Sequence, residues 1–71
     1  MPQKKRFYVA KSGVYGITVY DRETQCPAFE YGANNGMEDI RATMLAVNLN
    51  LALRRGYLEK LHVTAMNAAD A

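Results

Sequence analysis

Hydrophobic and polar positions alternate over 6–31 and then recur every three to four residues over 37–55. Alternation is the pattern of half-buried strands, and the longer period is that of an amphipathic helix. Residues 6–10, RFYVA, are rich in aromatic and β-branched side chains and predict a first strand; 14–20, VYGITVY, predict a second. Between them Ser12-Gly13 is a turn signal, so a short loop at 11–13 with its glycine left-handed closes a hairpin. The polar stretch Asp21-Arg22-Glu23-Thr24 begins with the aspartate that a type I turn prefers. A third run over 26–31 predicts an edge strand, because Pro27 has no amide to give a central ladder. Period-two alternation puts Phe7, Val9, Tyr15, Ile17, Val19, Phe29 and Tyr31 on the core face. The other face then carries Arg6, Tyr8, Ala10, Val14, Gly16, Thr18, Tyr20, Ala28 and Glu30.

Residues 32–36, GANNG, read as a loop. Asn35, three residues before Glu38, has the spacing of a capping box. Glu38 and Asp39 suit the positive end of a helix dipole and Arg54 and Arg55 the negative end, with Gly56 as a left-handed C-cap. At about 100° per residue the helix over 37–55 carries two apolar stripes on opposite sides. One is Met37, Ile40, Met44, Val47 and Leu51; the other is Leu45, Leu49, Ala52 and Leu53. A surface helix normally buries one face, so a helix with two needs two partners. The Met37 stripe is expected against the chain's own sheet, and Leu45, Leu49, Ala52 and Leu53 are expected to form an oligomer interface. Asn48 and Asn50 lie between the stripes and either fix the register of a helix–helix contact or face solvent. Beyond Gly56, the mixed spacing of Tyr57, Leu58, Leu61, Val63 and Met66 predicts a short second helix over 57–61, and 67–71 a disordered tail. The expected fold class is α+β: a three-stranded antiparallel β-meander followed by one long α-helix packed on it (β-β-β-α), in a single domain over 1–66 that forms a helix-mediated oligomer.

Length sharpens the oligomer expectation. A chain of 71 residues has room for one small core. Such a core rarely supplies more than about 3–5 kcal/mol without a staple. Cys26 is the only cysteine and His62 the only histidine, which excludes a disulfide within the chain and argues against zinc. Association with a second copy is the remaining common staple. The lone thiol fits a reducing, cytoplasmic setting, and no segment has the length or flanks of a signal peptide or membrane span. A net charge of +2 excludes an acidic DNA mimic and supports nucleic-acid binding only mildly.

Candidate chemistry is sparse. His62, between Leu61 and Val63, reads as a half-buried structural residue, since no partnered nucleophile or carboxylate cluster accompanies it. Cys26 reads as a small buried hydrophobe rather than a reactive thiol. Residues 32–36 have no Lys or Arg and are followed by two acids, so they suit capping rather than phosphate. Lys4, Lys5 and Arg6, beside Phe7 and Tyr8 and across the hairpin from Lys11, form a basic run interleaved with aromatics. The order strand, short loop, strand, polar turn, strand and capped helix, carried by FYVAKSGVYGITVYDRETQ and DIRATMLAVNLNLAL, resembles the N-terminal arm-site DNA-binding domain of lambdoid phage tyrosine integrases. That resemblance implies a basic tail and an exposed sheet face entering the DNA groove, with Lys4, Lys5, Arg6, Tyr8, Lys11, Thr18 and Arg22 in the contact positions. Two expectations follow. The first is a non-enzymatic, homodimeric macromolecule-binding protein with no cofactor or metal, bound to a protein partner. Small chains of this build are often phage or mobile-element accessory proteins that act as adaptors or inhibitors of host complexes. The alternative is a duplex-DNA-binding module using the sheet face and the basic arm.

Overall fold

A computed structural model describes residues 4–59. Strand β1 (Phe7–Ser12) pairs antiparallel with β2 (Gly16–Asp21), and β2 pairs antiparallel with a short β3 (Cys26–Pro27), giving the sheet order β1-β2-β3. A 3-10 turn (Phe29–Tyr31) follows, and then one helix, α1 (Asp39–Arg55), which packs on β1 and β2. The expected β-β-β-α order is therefore the architecture of the described residues. The anticipated helix over 57–61 and tail over 67–71 fall wholly or partly outside the described residues, as does His62.

The hairpin register sets the core. Val9 lies opposite Val19 and Phe7 opposite Asp21, so Phe7, Val9, Ile17 and Val19 share the face toward α1. Phe7 and Val19 are fully buried there, with the Tyr31 ring edge-on to Phe7 at 5.7 Å. The turn is two residues later than the expected loop at 11–13. Residues 13–15 form it, and the left-handed residue is Gly16, at φ +68°. A side chain at Gly16 would also sit 3.2 Å from the Gly36 Cα, so this position needs glycine for both backbone conformation and space.

The third strand is shorter than the run over 26–31 predicts. Only Cys26 and Pro27 pair with β2, after a turn in which Gln25 takes a left-handed φ of +59°. Pro27 offers no amide to prolong the ladder, and the chain turns away into the 3-10 segment. The turn reverses two expectations: Ala28 is buried and Phe29 is exposed. Loop amides complete the edge of β2 instead. Ala28 donates to the Val19 carbonyl (2.8 Å), Met37 to Ile17 (2.7 Å) and Gly36 to Tyr15 (2.9 Å).

Those last two bonds explain the helix start. With the Gly36 and Met37 amides bonded to the Tyr15 and Ile17 carbonyls, Glu38 is still extended, so α1 begins at Asp39 and not at 37. The expected Asn35–Glu38 capping box is absent: Glu38 is the N-cap and makes no side-chain capping bond. The C-terminus is as expected. Gly56 is left-handed at φ +78°, its amide bonds to Leu53 and that of Tyr57 to Ala52, and these two bonds form a Schellman motif.

The face of α1 that meets the sheet is the principal correction. Ala42, Ala46, Leu49 and Ala52 are buried and Leu45 is half-buried against the core, joined from beyond the helix by Leu58. Of the stripe expected on the sheet, Met37 does pack against the core from ahead of the helix, but Ile40 is 71% exposed, Met44 61% and Val47 49%. Of the anticipated oligomer interface, Leu49 and Ala52 are buried within the chain and Leu45 is half-buried, while Leu53 is exposed. Two physical causes act together. Alanines at 42, 46 and 52 let the helix backbone approach the sheet closely, which larger side chains would prevent. Asn50 then fixes the rotation, because its carbonyl accepts the Phe7 amide (3.0 Å) and its amide donates to the Phe7 carbonyl (2.9 Å). Asn50 therefore sets a register, between helix and strand edge, while Asn48 faces solvent.

Candidate interaction surface

The outer face of α1 is the largest concentration of exposed apolar side chains among the described residues. Ile40, Met44 and Val47, with half-buried Leu51, follow a spacing of four, three and four residues along one side of the helix. That spacing is the seam of a helix pair, in which apolar side chains recur on average every 3.5 residues. On the wheel the seam lies about 180° from the buried alanines. The two ends of the helix are charged with opposite sign: exposed Asp39 at the start and exposed Arg54 and Arg55 at the finish. Among the described residues none of these three charged side chains has an ion-pair partner. Thr43 and Asn48, both exposed, flank the middle. The sequence carried this surface in plain view, but its apolar bulk suggested a core stripe. The distinguishing signal was the phase of Ala42 and Ala46, which fall in line with Leu49 on the opposite side.

The basic arm and sheet face are divided by the structure. Lys4, Lys5, Lys11 and Arg22 are exposed. Arg22 donates from Nε to the Lys5 carbonyl (2.9 Å) and lies over the Tyr8 ring at 4.4 Å, and Tyr8 stacks on Tyr20 at 5.8 Å between centroids. Arg6 and Thr18 do not belong to this set. Thr18 is fully buried, and its hydroxyl donates to the Met37 sulfur (3.7 Å). Arg6 grips the buried Asp21 carboxylate through Nε and Nη2, both at 2.9 Å, and its Nε also lies 2.9 Å from a Glu23 carboxylate oxygen.

That ion pair is electrostatically tuned. Burial pushes the Asp21 carboxyl up, but hydrogen bonds from Arg6, the Glu23 and Thr24 amides and the guanidinium charge outweigh it and hold the carboxyl below the ordinary range. Hydrogen bonding to Asp21 raises Arg6 in return, against the effect of its own partial burial. The pair joins the start of β1 to the end of β2, and it commits the Nε–Nη2 edge of Arg6 to Asp21.

Cys26 is exposed, which corrects the expectation of a buried thiol. Among the described residues no group of three or more His, Cys, Asp or Glu side chains could hold a metal ion, and no helix is long and apolar enough to cross a membrane. No protein-family model matches the chain, and no curated protein or solved structure does so either.

Proposed function

We propose that this chain is a non-enzymatic, macromolecule-binding protein that self-associates through the outer face of α1 and serves as an adaptor or inhibitor of a larger complex. One observation carries the reading: Ile40, Met44 and Val47 stand between half and nearly three-quarters exposed, in line, on a helix whose other side is already buried. Leaving such a stripe in water forfeits roughly 25 cal/mol for every Å² of apolar surface that a partner could cover. Contiguous exposed apolar patches rimmed by polar residues mark protein interaction sites. The duplex-DNA reading retains Lys4, Lys5, Tyr8, Lys11 and Arg22 but loses Arg6 to Asp21 and Thr18 to the core, and so has the weaker support.

Sedimentation velocity over a concentration series tests the proposal. The wild-type mass should climb toward twice that of one chain, and Val47→Glu should stay monomeric with an unchanged circular dichroism spectrum. A wild-type chain that stays monomeric at high micromolar concentration, yet shifts a mixed duplex at low salt with an affinity that falls steeply as salt rises, would replace this reading with the DNA one.

A further inference from the structure

We infer that the cleft between the basic arm and the C-terminal half of α1 holds a short acidic segment of a partner protein. Its carboxylates pair with Lys4, Lys5 and Arg54, and its apolar side chains lie on Val47, Leu51 and Leu53. The inference rests on the reading of this chain as an adaptor and names the chemistry of the segment it takes. The cleft has a volume of about 430 Å³. Sites for small ligands run to about 300–1,000 Å³, so this one takes a few side chains and not a whole helix.

The arm that walls this cleft is pinned at three consecutive residues. Arg22 Nε donates to the Lys5 carbonyl at 2.9 Å, Arg6 grips the buried Asp21, and Phe7 exchanges two hydrogen bonds with Asn50. Lys4 and Lys5 therefore line the cleft opposite Arg54 on a wall that is already in place, which lowers the entropic cost of binding. All three cations are exposed, and among the described residues none has an ion-pair partner. No acidic residue lines the cleft. Asp21 and Glu23 each lie 2.9 Å from Arg6 Nε and offset that cation instead. Three uncompensated charges thus gather here in a chain whose net charge is only +2.

Charge alone would admit any polyanion, and the floor narrows the choice. Val47 is 49% exposed, Leu53 40%, and Leu51 is half-buried. Asn50, the one uncharged polar residue of the lining, has its amide committed to Phe7. Hydrocarbon with no free polar group therefore lies between the cations. A nucleic-acid backbone has nothing to cover such a floor, and its bases need aromatic faces on which to stack. No aromatic residue lines the cleft; Tyr8 and Tyr20 stack on each other, with Arg22 over Tyr8. A peptide that mixes carboxylates with aliphatic side chains satisfies both parts. It buries the floor, and Arg54 can take a carboxylate through two parallel N–H donors.

Fluorescence anisotropy of a labelled peptide of repeated Asp-Leu-Glu-Leu, titrated with the full chain, tests this inference. Binding should saturate. It should weaken sharply when serine replaces the peptide's leucines, and equally when asparagine and glutamine replace its acids. Lys5→Glu and Arg54→Glu should each weaken it by roughly five-fold or more, the upper value for an exposed ion pair. Leu53→Ser should weaken it as well, with helix content unchanged by circular dichroism in every variant. A serine peptide that binds as tightly as the leucine one, or a mixed DNA duplex that displaces it at equal concentration, would make the cleft a general polyanion site and overturn the inference. No peptide binding, whether or not the chain adheres to phosphatidylserine vesicles, would overturn it too. Val47 and Leu51 also border the outer stripe, but Lys5 does not, so Lys5→Glu should sediment as the wild type does. A wild-type chain that self-associates yet ignores the peptide would overturn this inference alone. One that holds the peptide as a monomer would overturn self-association and leave the cleft standing.

Discussion

The two faces of α1 carry apolar residues in inverse proportion to their burial. Inward lie Ala42, Ala46, Leu49 and Ala52; outward lie Ile40, Met44, Val47 and Leu51, which hold more hydrocarbon yet remain in contact with water. A rule that sends the bulkiest stripe to the core would choose the wrong side. The inner face wins because small side chains let the helix settle close to the sheet, so that Leu49 and Phe7 fill the space between. Its rotation is then locked by a side-chain amide satisfying both polar groups of a strand-edge residue. The outer face is left with a pattern suited to meeting a partner, and the contrast between the faces can be tested one residue at a time.

The largest effect should come from truncating the inner face. Leu49→Ala opens a cavity beside Phe7 and Val19 and should cost about 2–5 kcal/mol in urea unfolding, enough to unfold a marginal domain of this size. If that substitution proves mild, the assignment of faces fails.

The buried ion pair on the sheet should come next. Removing the guanidinium with Arg6→Ala leaves Asp21 buried and uncompensated, at a cost of about 3 kcal/mol. Acid reaches the same interaction from the other partner. The Asp21 carboxyl titrates lower in the folded chain than its ordinary value of 3.8, so its contribution is complete above that pH and is lost as the pH falls through the folded value. Wild type should therefore lose stability below pH 3.8 more steeply than Asp21→Asn. The free cations of the cleft are exposed, so salt should act on peptide binding and leave unfolding of the monomer largely unchanged.

Asn50→Ala removes the lock and strands the amide and carbonyl of Phe7, which should cost about 1–3 kcal/mol and speed amide exchange at Phe7. The smallest effect should come from the outer face. Val47→Ala should leave monomer stability within about 0.5 kcal/mol while weakening self-association. A loss comparable to that of Leu49→Ala would mean that the outer stripe is also packed within the chain.

How far the sequence could be read differs from element to element. Alternation in FYVAKS and GITVYD, the polar turn at Asp21 and the long period up to Gly56 each express a local preference, and local preferences survive into the fold. The hairpin, its turn to a third strand, the helix and its glycine cap were therefore legible. The end of β3 and the start of α1 were not, because hydrogen bonds from Ala28, Gly36 and Met37 to the carbonyls of Val19, Tyr15 and Ile17 decided them, and no local pattern encodes those partners. Likewise Arg6 reads as a free cation and Thr18 as a surface hydroxyl until the register brings Asp21 and Met37 within reach.

For the helix itself, the sequence by itself determined that two apolar faces exist and that the two ends of the helix carry opposite charge. Only the tertiary structure decided which face is core. Periodicity records the angle at which side chains leave the helix axis, and that angle is the same whichever side meets the sheet. The choice depends on how closely two surfaces can approach and on whether Asn50 can reach Phe7, and both are properties of the assembled layers.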